Sequence, residues 1–157
     1  MKSTGLGKKI PDPSPLLAIA SPARYSSSSF PRSKRIAVNP VSPQIGTVFV
    51  PVSDIEEARD WYCGMLGVPA DDKVLLDHLY ILPMEGAGLV LDSRTYSPGA
   101  VFQVPAFHFN TADIHAAHAF MKTRGVELTD VNDDQWFNFR DPDGNVLMIC
   151  QIPPATE

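Results

Sequence analysis

Few residues in this sequence have the type and spacing that chemistry needs. His108 lies in the run Phe107-His108-Phe109, where it could serve as a general acid or base or as a hydrogen-bond anchor for a ligand. His115 and His118 are three apart, a spacing that can bring two imidazoles to one side of a helix. Against the apolar stripe Ile114, Ala117 and Met121, however, His115 faces away and His118 sits at the flank, so exposure is expected rather than a zinc pair. His78 and Tyr80 alternate on a β-type run, and the sequence does not say which face they take. Cys63 has no basic neighbour to lower its pKa and reads as structural. Beyond residue 43 the serines are Ser53, Ser93 and Ser97, which gives nucleophilic serine chemistry little to work with. Gly5-Leu6-Gly7-Lys8 lacks the spacing of a phosphate loop. In Trp136-Phe137-Asn138-Phe139 alternate side chains share a face, and an aromatic ring there can stack on a planar ligand.

Two helix–strand units position these residues. Thr47 to Val52 is an extended apolar run, and Ser53 with Glu56 has the spacing of a capping box for the helix that follows. Ile55, Ala58, Tyr62 and Met65 form its apolar face, Trp61 and Tyr62 pack it on a sheet, and Gly67 supplies the left-handed stop. A shift of 59 residues repeats the pattern: Asp113-Ile114 falls on Asp54-Ile55, Ala117 on Ala58 and Phe120 on Trp61, with Gly125 closing the second helix. Strands are expected at Lys73 to Leu76, His78 to Leu82, Gly88 to Leu91, Trp136 to Phe139 and Val146 to Ile149, the last two joined by the turn Asp141-Pro142-Asp143-Gly144-Asn145. Neither half can cover its own sheet, so the two halves must share a core.

Composition separates a tail from this repeat. The chain has 157 residues and a formal charge of −5. Residues 1–43 hold seven basic residues, one acid, seven prolines and nine serines, whereas the remainder carries a formal charge of −11. The first segment is too poor in apolar residues to offset its ordering entropy, and we expect it to be disordered and dispensable for folding. An Arg- and Ser-rich leader is also compatible with organelle targeting, but the prolines at 11, 13, 15 and 22 oppose a presequence helix, so a cytoplasmic location is expected. Its basic residues are dispersed without aromatic platforms, which argues against nucleic acid. No apolar stretch reaches membrane-spanning length. Cys63 and Cys150 are 87 positions apart, with no spacing that signals a disulfide framework or a zinc site.

The residues Phe49-Val50-Pro51-Val52-Ser53-Asp54-Ile55, Trp61-Tyr62, Leu66-Gly67-Val68, Asp113-Ile114, Gly125-Val126 and Phe139-Arg140-Asp141-Pro142-Asp143-Gly144-Asn145 resemble the vicinal oxygen chelate superfamily, which holds glyoxalases, bleomycin-resistance proteins and ring-cleaving dioxygenases. The resemblance spans about 45–152. It implies an α+β fold of two βαβββ modules, about 45–99 and 102–152 within a domain 44–153, forming a curled mixed sheet around a cleft that a second subunit often completes. A homodimer is the expected assembly.

Matching by motif places the family's metal-ligand positions at Thr47, Ala106 and Met148, with a fourth near Gly88 to Asp92 at Leu89 or Leu91. None supplies the imidazole or carboxylate that a catalytic divalent metal needs, so no metal and no other cofactor is expected. Strand alternation puts Phe49 with Thr47, His108 and Asn110 with Ala106, and Val146 and Cys150 with Met148. The expected ligand-binding residues are Thr47, Phe49, Ala106, His108, Asn110, Trp136, Asn138 and Met148, with His108 the one catalytic candidate. The leading reading is a metal-independent protein that binds or sequesters a small organic, drug-like ligand, cationic or neutral to suit the acidic domain. The alternatives are a metal-dependent lyase, isomerase or dioxygenase whose ligands lie elsewhere in the chain, and an assembly module with a vestigial pocket. Whether the chain catalyses anything is left open.

Overall fold

The computed structural model describes residues 40–153, so the expectation of disorder over 1–43 lies, for 1–39, outside the described residues. Pro40 to Gly46 are exposed and carry no regular structure. The elements run in chain order as β1 (Thr47–Pro51), α1 (Ile55–Leu66), β2 (Leu79–Leu82), β3 (Gly88–Asp92), β4 (His108–Thr111), α2 (Ile114–Thr123), β5 (Trp136–Arg140) and β6 (Val146–Gln151). Each half makes a three-stranded mixed sheet of the same topology, β1-β3-β2 and β4-β6-β5, with the first strand parallel to the last and the middle one antiparallel. The expected pair of α+β modules is present, and neither sheet closes on itself.

The further strand of each module is reduced to isolated bridges. Lys73 to Leu76 is not a strand: only Leu75 bridges, to Leu79, and the chain turns back at once. Its counterpart in the second module bridges at Leu128 to Phe139 and at Asn132 to Trp136. The same tight turn follows in both, with positive φ at Leu76 (51°) and Asp77 (62°) in one and at Asp133 (49°) and Asp134 (55°) in the other. The helix caps are 59 residues apart, the left-handed glycines Gly67 and Gly125 58 and these turns 57, so one residue is lost in the helix and one in the segment after it.

Aspartate tolerates the left-handed region, but a leucine there bears a steric cost of about 1 kcal/mol. Leu76 is 56% exposed, so its side chain gains little packing in return. Leu76→Asn should therefore raise stability by about 0.5–1 kcal/mol, read as a higher urea midpoint at unchanged m-value. An unchanged or lower midpoint would show that the leucine side chain is worth more than the strain.

The helix starts also depart from expectation. Asp54, not Ser53, caps α1: its Oδ1 accepts from the N–H groups of Glu56 and Glu57, each at 3.0 Å. A carboxylate at this position satisfies two orphan donors and meets the positive end of the helix dipole, which a serine hydroxyl one residue earlier cannot match. Ser53 instead donates its backbone N–H to Asp143 Oδ1 in the other module. Asp113 caps α2 in the equivalent way, accepting from Ala116 N. Gly67 at φ 67° and Gly125 at φ 72° end the helices as the sequence indicates.

One core serves both modules, with Val50, Ala58, Tyr62, Leu91, Phe109, Ile114, Phe137, Phe139 and Leu147 buried together. Trp61 of α1 stacks on Phe139 of β5 with ring centroids 6.3 Å apart. Among the described residues no helix is long and apolar enough to cross a membrane.

Candidate functional site

On sheet β4-β6-β5, Phe109, Phe137, Phe139, Leu147 and Ile149 point into the core. Strand alternation therefore turns their neighbours to the opposite face. The register lines these up in two rows across the sheet: His108 opposite Met148 and Met148 opposite Asn138, then Asn110 opposite Cys150 and Cys150 opposite Trp136. Five of the eight expected ligand-binding residues, His108, Asn110, Trp136, Asn138 and Met148, thus share one sheet face. Ala106 is exposed in the irregular segment before β4 and is not part of that strand. Thr47 and Phe49 belong to the other sheet, where Thr47 lies opposite Gly88 and Phe49, 38% exposed, lies opposite Val90.

The fourth ligand position needs correcting. Leu89 and Leu91 point into the core, and it is Val90 that pairs with Phe49 as Met148 pairs with His108. Val90 has no donor atom either. The residues at the metal-ligand positions therefore do not fit a catalytic divalent metal: an alanine methyl and a valine have no lone pair, a thioether is soft, and a lone threonine hydroxyl is weak. Among the described residues no three His, Cys, Asp or Glu side chains converge.

The four histidines divide sharply by environment. His78 Nδ1 is 2.9 Å from Asp92 Oδ1 in a largely buried pair. His115 Nε2 is 3.1 Å from Asp134 Oδ1, and His118 Nε2 lies 3.0 Å from the Thr129 carbonyl. His115 and His118 therefore hold separate partners rather than forming a pair. His108 alone makes no hydrogen bond or ion pair within the described residues, and it lies on the face just described. Tyr80 is buried, its hydroxyl 3.8 Å from Cys63 Sγ, so the Cys63 thiol is a packed group, as expected. Burial pushes the Cys150 thiol above its ordinary pKa, which keeps it from acting as a thiolate.

His108 and Asn110 also line a cleft of about 370 Å³ at the junction of the modules. Val48, Leu66, Met84, Leu89, Phe107 and Phe109 make its walls apolar, and Glu85 adds a carboxylate. The size and the mostly apolar lining with a few convergent polar groups suit a small organic molecule. Sequence reasoning missed Met84, Glu85 and Leu66. Phe107 and Phe109 are signalled by flanking His108, but Met84 and Glu85 come from the β2–β3 turn, and only the packing of one module on the other brings them here. Asn138 Oδ1, on the same face as His108, is buried without a hydrogen-bond partner.

The turn Asp141 to Asn145 does more than reverse the chain. Tyr62 donates its hydroxyl to Asp141 Oδ2 at 2.6 Å, Asn145 Nδ2 donates to that same oxygen and to the Pro51 carbonyl, both at 2.8 Å, and Asn145 Oδ1 accepts from Phe102 N at 2.9 Å. With the bond from Ser53 N to Asp143, this network ties β1 and α1 of the first module to the second.

The glyoxalase/bleomycin resistance protein/dioxygenase superfamily model matches residues 44–149. None of the curated proteins is similar enough to count as a match. Among solved structures, the chain is 27% identical to TnmS3, an antibiotic binding protein from Streptomyces sp. CB03234, over 73% of this chain and 99% of that one, with a TM-score of 0.57. It is 28% identical to a glyoxalase/bleomycin resistance protein from the same organism, over 68% of this chain and 99% of that one, with a TM-score of 0.54. A superfamily member from Sphaerobacter thermophilus DSM 20745, 24% identical over 69% of this chain and 96% of that one at a TM-score of 0.55, shares the fold. With the model matching well over half of its length and two modules of the same topology, the chain belongs to the glyoxalase/bleomycin resistance protein/dioxygenase superfamily.

Proposed function

We propose that the chain is a metal-independent small-molecule-binding protein that holds or sequesters a neutral or cationic, drug-like organic ligand against His108, in the cleft between its modules. The observation that carries this reading is His108 itself, the one histidine of four whose side chain has no hydrogen-bond or ion-pair partner among the described residues, at the edge of an apolar cleft of about 370 Å³. A neutral imidazole both donates and accepts, so it can anchor a polar group of the ligand while the apolar walls supply the contact area. The chemistry of Thr47, Ala106, Met148 and Val90 favours binding without a metal. The formal charge of −11 beyond residue 43 disfavours anionic ligands. The likeness to an antibiotic binding protein supports a drug-like ligand class. We further propose a homodimer, because β1 and β4 are both edge strands with a side that no strand among the described residues pairs and that a second copy would cover.

A thermal-shift and calorimetric screen of antibiotics and other aromatic natural products tests this. His108→Ala should keep the melting temperature and weaken the best ligand about ten-fold, the worth of one hydrogen bond of about 1.4 kcal/mol. Zinc, nickel, manganese or iron should not raise the melting temperature, since a metal bound specifically to the native state would have to. A stoichiometric divalent metal, removed by chelator with loss of an enzymatic activity, would overturn the reading.

A further inference from the structure

Among the described residues the cleft is lined by one carboxylate and by no lysine or arginine. Glu85 sits in the β2–β3 turn, where Gly86 has φ 84°, and its side chain makes no hydrogen bond or ion pair within the described residues. The cleft's only other ionisable side chain among the described residues is His108. Apart from Asn110 the remaining side chains of the walls are apolar, and Phe107 has an aromatic ring held edge-to-face between Phe102 and Phe109.

We infer that Glu85 is a specificity-determining residue that selects a lipophilic organic ammonium, with Glu85 as counter-ion, Phe107 as aromatic wall and His108 with Asn110 as hydrogen-bond partners. This rests on the proposal that the cleft is the ligand site, and narrows its ligand class from neutral or cationic to cationic. The physical grounds are asymmetric. A carboxylate or phosphate ligand would meet Glu85 with no positive side chain to offset it. A neutral ligand gains nothing from the acid. An ammonium gains a charge pair beside low-polarity walls and the attraction of an aromatic face.

The test uses the full chain and three matched probes that differ only in charge: 2-naphthylmethylammonium, 2-naphthylmethanol and 2-naphthoate. Backbone amide shifts of His108 and Asn110 report occupancy of the cleft and give each dissociation constant. The ammonium should bind about ten-fold more tightly than the alcohol, with the margin shrinking as salt is raised, and the naphthoate should bind more weakly than either. In Glu85→Gln, where the native side chain is exposed and has no partner among the described residues, the ammonium and the alcohol should bind with equal affinity while the melting temperature holds. An alcohol that binds as tightly as the ammonium, or a preference that survives in Glu85→Gln, would overturn the inference while leaving the cleft as a ligand site. Failure of all three probes to perturb His108 and Asn110 would instead remove the ligand site itself.

Discussion

Asn145→Ala should destabilise the domain by about 3–4 kcal/mol, the largest effect expected of any single substitution considered for this chain. Asn145 is fully buried and uses both ends of its amide. Its loss strands the Pro51 carbonyl and the Phe102 N–H, which have lost their partner in the interior, and takes one donor from the buried Asp141 carboxylate. Each orphaned group costs about 1 kcal/mol or more, and the charged acceptor more than the neutral ones. Because the three partners come from β1, from the segment before β4 and from the turn itself, the damage falls on the junction of the modules rather than inside either. A melt followed by circular dichroism should show a fall of roughly 10 °C or more. A loss below about 1 kcal/mol would mean that water replaces the amide in that position and that the network does not hold the modules together.

The sequence disclosed a good deal of this architecture, because much of it is local. Gly67 and Gly125 mark the helix stops, and the repeat aligns Asp54 with Asp113, but the capping-box spacing of Ser53 with Glu56 puts the first start one residue early, and it is the aspartates that cap. Period-two alternation placed His108, Asn110, Trp136, Asn138 and Met148 on one face, which the register rows confirm as a shared surface. Alternation fails when the phase is uncertain, and Val90, fully buried, rather than Leu89 or Leu91 lies on the same sheet face as Phe49 for that reason. What stayed hidden is what depends on packing one module on the other. Glu85 and Met84 read as turn residues, and Asp141 to Asn145 reads as a good turn signal. Nothing in the local pattern says that Asn145 will reach Pro51, 94 positions away, or that Tyr62 will reach Asp141, 79 away. Lys73 to Leu76 had strand composition, but the turn at Leu76 and Asp77 overrides it.

The same network makes a pH-dependent prediction at Tyr62. Burial is the larger influence on Asp141 and raises its carboxyl above the ordinary aspartate value, against the bonds from Tyr62 and Asn145 that pull it down. Burial, reinforced by the Asp141 charge, also raises Tyr62 well above the usual phenol value, so Tyr62 is a neutral donor throughout the range where carboxylates titrate. The folded chain thus keeps the Asp141 proton to a higher pH than the unfolded chain does. The stability this group contributes is full below its unfolded pKa and is lost as pH rises from there through the folded pKa. Tyr62→Phe removes a bond that stabilises the ionised carboxylate, so the carboxyl of the variant rises further still. At a pH above the raised folded pKa of both proteins, where Asp141 is ionised in each, the variant should be less stable by about 2–3 kcal/mol, the worth of a hydrogen bond to a charged group. As the pH falls through the raised folded pKa of the variant, its Asp141 is neutralised first and the deficit should shrink towards the roughly 1 kcal/mol of a neutral hydrogen bond. Urea unfolding of both proteins from pH 7 down into the carboxylate range measures the difference directly. A deficit that stays constant across that range would show that Tyr62 contributes through packing alone, and that Asp141 is not the charge it holds in place.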